Sequence, residues 1–270
     1  MKLNSRFDAQ LRDLKQALEE MTTLDLDCLN EVVRALLTGQ SDPAERVRSL
    51  ALGIDRAERD IETLCLRILL QRHPVASDLR QVSGTLKMIT DLQRIGHQCC
   101  DFADILLKDG PFLPDHLREL ADLAHPVVEM LERASAACSH ADVSAAQQVI
   151  HSDNEVDRRY ASLRTRLAET IRTHATGDTD RLLDVLMLGK YLERMADHVV
   201  IFAQWIIFSV TGERLVPEED AAADRRRDGG GGRILPGRGS ADAEAVHESP
   251  ARSLIELSAG VAGQDRKRSL

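Results

Sequence analysis

Two segments one hundred residues apart repeat one pattern of apolar residues, and this repeat constrains the fold more than any other feature of the chain. The segment at 91–97 reads DLQRIGH, and the segment at 191–197 reads YLERMAD. Apolar residues recur at alternating spacings of three and four, which places them on one face of an α-helix. The positions in register are Leu92, Ile95, Cys99, Phe102 and Leu106 in the first copy, and Leu192, Met195, Val199, Phe202 and Ile206 in the second. A regular repeat of this length indicates two copies of one helical unit.

Short breaks divide residues 5–213 into six predicted helices, three in each copy. The second helix begins at Asp42, a capping residue that precedes a proline at the first helical position. Pro126 is predicted to kink the fourth helix. No segment alternates with the period of two that is typical of a strand. We therefore predict an all-α fold of two tandem antiparallel three-helix bundles, the first over 5–109 and the second over 112–213.

The composition changes after residue 213. Half of the sixteen glycines lie in residues 214–270, which contain no aromatic residue and no cysteine. A Gly/Arg-rich segment of this kind lacks the apolar residues needed to bury a core. Residues 214–270 are therefore predicted to be a disordered tail.

The net charge of −9 belongs to the helical part of the chain. Ten basic and ten acidic residues cancel from Arg214 onward, so 25 basic and 34 acidic residues precede them. An acidic body argues against a nucleic-acid partner, because phosphate backbones need a basic footprint. The sequence has no apolar run of about 18 residues that would span a membrane, and its first residues lack the apolar segment expected of a signal peptide. We expect a cytoplasmic protein with no direct membrane insertion, and five reduced cysteines that act as small apolar residues.

The second copy carries two pairs of carboxylates at helical spacing. Glu193 and Asp197 are four residues apart on the sixth helix, and Asp153 and Asp157 are four apart on the fifth. Like charges at this spacing repel, and a shared cation would remove the repulsion. If the two helices are neighbours, four carboxylates converge where helical bundles hold metal ions. The alternative is that these residues form solvated surfaces neutralised locally by arginines, namely Arg158, Arg159 and Arg194.

The matching positions of the first copy carry a different set of side chains. Gln93 and His97 occupy the places of Glu193 and Asp197. Gln93 is a neutral, poor ligand, whereas His97 suits a softer metal such as iron or zinc. The candidate metal ligands of the first copy are His97, Asp101, Glu58 and Glu62. No phosphate loop and no nucleophile motif accompany either copy, so the sequence does not resemble an enzyme.

Three motifs give the chain a resemblance to the PhoU family of phosphate-specific transport accessory regulators. Residues 191–198 (YLERMADH) with 210–213 (VTGE) resemble the family signature, and residues 74–80 (PVASDLR) are similar to its second hallmark. Residues 91–96 (DLQRIG) resemble the first-copy form of the same signature. The match covers about residues 5–213 in the expected order, and the tail has no counterpart.

The resemblance implies tandem three-helix bundles that form homodimers in the cytoplasm beside a phosphate ABC transporter and a membrane-bound sensor histidine kinase. PhoU proteins keep the kinase from inducing the phosphate-starvation response when phosphate is plentiful, and they restrain phosphate uptake. Some members bind iron or other metal ions through acidic motifs, one set in each bundle. Carried over to this chain, the second set is Glu193 and Asp197 with Asp153 and Asp157. Gln93 and His97 depart from the first set, so we expect one occupied site.

Three functions are compatible with these residues. The leading hypothesis is a regulatory adaptor without catalysis that conveys the state of the transporter ATPase to the kinase. The second is a carboxylate-bridged metalloenzyme, although such enzymes place Glu-x-x-His motifs on core helices and Glu193 is followed at the third position by Ala196. The third is an accessory scaffold for another carrier, such as a sodium-coupled phosphate carrier.

Overall fold

A computed structural model describes residues 2–71, 76–108, 112–173 and 179–214. These ranges contain six α-helices and no strand, so the predicted all-α fold is confirmed. Residues 109–111, where we predicted the boundary between the copies, and 215–270, nearly all of the predicted tail, lie outside them. The helices are α1 (Lys2–Thr38), α2 (Ser41–Gln71), α3 (Ala76–Lys108), α4 (Pro114–His140), α5 (Val143–Thr173) and α6 (Thr179–Thr211).

The helices form the two three-helix bundles that the repeat predicted. Helices α1, α2 and α3 pack on one another, as do α4, α5 and α6. The bundles join through α3 against α6, the most extensive helix pair of the fold, and through α1 against α4. The described residues between 2 and 214 consequently belong to one compact unit. The repeated helices α3 and α6 therefore lie at its centre, and α2 and α5 lie outside them.

The repeated apolar stripe is the core of this unit. Nine of its ten positions are at most 1% exposed, and Leu106 packs against them while partly exposed. The two stripes meet where the Sγ atom of Cys99 approaches the Sδ atom of Met195 at 3.9 Å. Burying each large side chain contributes roughly 1.5–3 kcal/mol. Burial of the stripes sets the rotation of α3 and α6 about their own axes. The polar positions beside the stripes therefore face α2 in the first bundle and α5 in the second.

The five cysteines are free thiols, as the sequence predicted. Cys28, Cys65 and Cys99 are buried, and Cys138 is partly buried. Loss of hydration raises the pKa of the Cys65 and Cys138 thiols to about 12. These side chains therefore pack as neutral apolar groups.

A glycine brings α2 close to α3 in the first bundle. A Cβ atom added to Gly96 would lie only 2.7 Å from the Cδ1 atom of Ile54. The absent side chain allows α2 to approach, and Ile54 is followed directly by Asp55. The close approach therefore positions Asp55 beside the polar residues of α3.

Helix α4 continues without a break through Pro126. A proline inside a helix leaves the carbonyl four residues earlier without its usual donor, here the carbonyl of Asp122. The Nη1 atom of Arg159 donates to that oxygen at 2.7 Å. A side chain of α5 thus replaces the hydrogen bond that the proline removes from α4.

Candidate metal centre

Helices α5 and α6 bring the four predicted carboxylates of the second bundle into one cluster. Glu193 and Asp197 lie on α6, and Asp153 and Asp157 lie on the neighbouring α5. Partial burial, followed by the charges of the other three residues, raises the pKa of Asp153 to about 7. Loss of hydration and the charge of Glu193 raise the pKa of Asp197 as well. Asp153 and Asp197 therefore experience the negative charge of the neighbouring carboxylates. We call these four residues the carboxylate cluster.

One oxygen of the carboxylate cluster is buried without a hydrogen-bond donor. The Oδ1 atom of Asp153 is inaccessible to solvent and has no partner among the described residues. A buried carboxylate oxygen without a donor is destabilising, and a cation or a proton removes the cost. Oxygen donors of this type suit hard ions such as Mg²⁺, Mn²⁺ and Ca²⁺, and also iron. The residues present therefore fit the metal that the resemblance implies.

The arginines that might neutralise this surface are engaged elsewhere. Arg158 forms an ion pair with Glu155, and the Nε atom of Arg159 lies 2.6 Å from the same carboxylate. The ion pairs of these two arginines are therefore with Glu155 and not with the cluster. Arg194, the third arginine of the alternative interpretation, is exposed on α6. Lys190 instead supplies a positive charge, because its Nζ atom donates to Oε2 of Glu193.

The cluster does not have the geometry of a preformed metal cage. Within the ranges that the structure describes, no three His, Cys, Asp or Glu side chains are arranged to hold a metal ion. Metal binding to these four residues therefore stays a prediction. It requires side-chain movement, and Glu193 would have to leave Lys190.

In the first bundle, Gln93 and His97 both contact the carboxylate of Asp55 on α2. The Nε2 atom of Gln93 donates to Oδ1 of Asp55 at 3.0 Å, and the Nε2 atom of His97 lies 2.9 Å from the same oxygen. Partial burial disfavours the charged form of Asp55, but these two contacts outweigh it and lower the pKa of its carboxyl. Gln93 and His97 thus bind a carboxylate of their own bundle, where the second bundle gathers four carboxylates.

The other first-copy candidates lie around this contact. Burial and the charge of Glu62 raise the pKa of Glu58, and Asp55 adds a smaller effect. Asp101 is exposed one turn after His97. These positions do not test metal binding by the four first-copy candidates, which stays a prediction.

The sequence reasoning missed Asp55, although a signal for it exists. Asp55 follows the buried Ile54 as Asp157 follows the buried Val156. Aligning the second helix of each copy by this apolar residue would have paired Asp55 with Asp157. Asp55 belongs to no pair of carboxylates at a spacing of four, because Arg59 stands four residues later.

The fold and the cluster together define a class of protein: tandem three-helix bundles joined by their third helices, with polar pairs beside the central stripe. A model of the PhoU domain matches the chain twice, over residues 18–106 and 120–206. The chain therefore belongs to the PhoU family. The two matches lie within the first and the second bundle, respectively.

Curated relatives match over most of their length. The chain is 32% identical over 215 residues to the phosphate-specific transport system accessory protein PhoU homolog of Pseudomonas aeruginosa, covering 78% of this chain and 87% of that protein. It is 30% identical over 211 residues to the protein of the same name in Synechocystis sp., covering 78% and 93%. About four fifths of the chain therefore aligns with these relatives.

Solved structures have the same fold. The crystal structure of PhoU from Pseudomonas aeruginosa superposes with a TM-score of 0.71 at 30% identity, covering 77% of this chain and all of that chain. The phosphate transport system regulatory protein PhoU from Streptococcus pneumoniae gives 0.71 at 23% identity over 78% of this chain, which bears on the fold alone. None of the helices within the described ranges is long and apolar enough to cross a membrane.

Proposed function

We propose that this protein is a cytoplasmic regulator of phosphate homeostasis without catalytic activity. It represses the phosphate-starvation two-component response and restrains phosphate uptake when phosphate is plentiful. The observation that carries the proposal is the double match to the PhoU domain, one match in each bundle. Membership of a family whose relatives are named accessory proteins of phosphate-specific transport supports this role.

The partners of this role are the ATPase of the phosphate ABC transporter and the sensor histidine kinase. The protein acts as a homodimer that links the two. Its helical body is acidic, and such a surface favours docking to basic patches on partner domains, with an association rate that falls as salt rises. This role does not involve binding to nucleic acid.

The carboxylate cluster is the proposed metal site of the regulator. Glu193, Asp197, Asp153 and Asp157 would hold iron or another divalent ion. A bound cation would replace the mutual repulsion of the carboxylates by attraction and would join α5 to α6. The orphaned oxygen of Asp153 and the raised pKa of its carboxyl support this assignment. In the first bundle, Gln93 and His97 both contact the carboxylate of Asp55, which favours a structural hydrogen-bonded contact there.

Two other functions remain as alternatives, each with a distinguishing result. A carboxylate-bridged metalloenzyme draws support from the same four residues and would show turnover of a phosphate ester or peroxide by the metal-loaded protein. An accessory scaffold for a sodium-coupled phosphate carrier would leave the starvation response unchanged when the gene is deleted.

The test is deletion of the gene in its host, followed by a starvation-response reporter assay in phosphate-rich medium. We expect high reporter activity in the deletion strain and repression by the re-expressed wild-type protein, because the regulator holds the kinase inactive. Unchanged reporter activity on deletion contradicts the proposed regulator.

The same strain tests whether the cluster serves this role. Glu193→Gln/Asp197→Asn removes two charges while keeping the side-chain shape, and we expect incomplete repression. The matched control is Asp60→Ala/Glu132→Ala, which removes two exposed acidic residues outside the cluster. Full repression by the cluster variant would separate the metal site from the regulation.

A further inference from the structure

Lys190 on α6 forms an ion pair with one member of the carboxylate cluster. Its Nζ atom donates to Oε2 of Glu193, and its side chain is 42% exposed while that of Glu193 is only 15% exposed. The charge of Lys190 also acts on Asp197, where it opposes the effect of Glu193. The lysine therefore neutralises part of the cluster and engages an oxygen that a metal ion would need.

We propose that Lys190 is a built-in counter-cation that a metal ion must displace, so that this lysine sets the metal affinity of the cluster. The proposal rests on the proposed metal site. With Lys190 in place its ammonium group offsets part of the negative charge of the cluster, and without it that charge no longer opposes an incoming cation. Oxygen ligands bind hard cations chiefly through charge, so a resident ammonium group competes directly with the metal.

The surroundings of Lys190 provide an alternative position for the displaced ammonium group. The Nζ atom lies 5.6 Å from the centre of the Tyr160 ring on α5. An aromatic face attracts an ammonium group at this range by about 0.5–1 kcal/mol at an exposed site. Lys190 is thus held between a carboxylate and an aromatic ring, and loss of the first contact leaves the second. Displacement by a metal consequently does not leave the ammonium group without a favourable contact.

The first copy lacks this arrangement. The residue one hundred positions earlier is Thr90, which is exposed and uncharged. There the carboxylate of Asp55 is occupied by Gln93 and His97 instead. The lysine is therefore found in the copy whose four carboxylates are clustered. Because threonine occupies the equivalent position of α3, Lys190→Thr is a suitable substitution to test.

The experiment measures the dissociation constant of Mn²⁺ for the full purified chain, by electron paramagnetic resonance of the free ion. We expect Lys190→Thr to bind Mn²⁺ about five- to tenfold more tightly than wild type, the size expected for one opposing charge at a half-exposed site. Lys190→Gln, which keeps most of the length without the charge, should give the same tightening. Lys190→Arg retains the charge and should bind no more tightly than wild type.

Two controls separate the specific effect from a general one. Lys87→Thr removes one positive charge from an exposed lysine of α3 and should leave the Mn²⁺ affinity within twofold of wild type. Glu193→Gln/Asp197→Asn should abolish the site. Equal affinity in wild type and both uncharged variants at position 190 overturns the role of Lys190 while the metal site stands. Absence of Mn²⁺ binding in every variant overturns the metal site and the role of Lys190 together, whereas the reporter assay still tests the regulator independently.

Discussion

Asp25 is a carboxyl group enclosed by the core of the first bundle. Its side chain on α1 is 0% exposed, and neither oxygen accepts a hydrogen bond of good geometry from the described residues. The nearby backbone of Gly96 favours the charged form, but less than burial opposes it. Burial, and then the neighbouring Cys28 thiol, raise the pKa of Asp25 well above its usual range. The group therefore remains protonated where an exposed aspartate is ionised, and the core contains a neutral acid.

The ionisation of Asp25 gives a prediction about pH. The folded state keeps its proton above pH 4 while the unfolded state releases it, so the free energy of unfolding falls as pH rises through that window. One such group contributes a slope of up to about 1.4 kcal/mol per pH unit. Asp25→Asn cannot ionise, so we expect its stability relative to wild type to increase between pH 5 and pH 8. Urea denaturation at the two values measures the difference.

The control for this prediction lies on the same helix. Asp27→Asn changes an exposed carboxylate two residues along α1, and its stability relative to wild type should be nearly independent of pH. If the curves of Asp25→Asn and wild type stayed parallel across the range, the buried acid would not be the source of the slope.

The two aspartates that mark the first bundle differ in how visible they are in the sequence. Asp25 interrupts an apolar stripe, since Leu14, Leu18 and Met21 precede it at spacings of four, three and four. That pattern predicts a buried position, but it does not reveal that the carboxyl would lack a partner. Asp55 became visible only through its contacts with Gln93 and His97, because hydrogen bonds between helices depend on their packing.

At the scale of the helices, the sequence predicts most of the architecture. Spacings of three and four, with breaks at proline and glycine, predict six helices, and the described ranges contain six. The second begins at Ser41, beside the predicted start at Asp42. Periodicity identifies the apolar face of a helix, and so predicts the bundles. It carries no information on which polar residues satisfy a backbone group of another helix, which is why the contact between Arg159 and the Asp122 carbonyl was not anticipated.

Helix α4 offers a prediction about that contact. Pro126 removes one hydrogen bond of the helix, and Arg159 supplies a substitute from α5. Pro126→Ala restores the N–H group, so we expect it to raise the free energy of unfolding by about 1–3 kcal/mol. Arg159→Ala should destabilise wild type by about 1 kcal/mol, because the carbonyl loses a charged donor.

A double-mutant cycle separates this contact from the others that Arg159 makes. With Pro126→Ala in place, the helix itself satisfies the carbonyl of Asp122, and Arg159→Ala should then cost less. Additive effects of the two substitutions would show that the arginine does not compensate for the proline.

At the scale of the whole molecule, the bundles are joined by a polar contact inside their interface. The Nδ1 atom of His198 on α6 lies 3.1 Å from Oδ1 of Asp91 on α3. Their side chains are 12% and 11% exposed, so the contact is largely shielded from water. The repeat predicted that α3 and α6 are equivalent, yet this pair breaks the equivalence: Tyr191 occupies the place of Asp91, and Gln98 that of His198.

Because α3 and α6 form the largest helix contact, loss of this pair is expected to affect both bundles. Asp91→Ala leaves a shielded imidazole without its partner and should lower the free energy of unfolding by about 1.5–3 kcal/mol. Asp104→Ala is the matched control on α3, because it breaks an ion pair with Arg48 whose side chains are both about half exposed, and it should cost less than Asp91→Ala because water screens an exposed pair. Urea unfolding measures the stability cost of each substitution. It is followed by circular dichroism for all helices, and by the fluorescence of Trp205, the single tryptophan, on α6. Coincident transitions at a lower midpoint would show that the bundles still unfold as one unit. Equal costs for the two substitutions would mean that the shielded pair contributes no more to the joining of the bundles than a surface ion pair does.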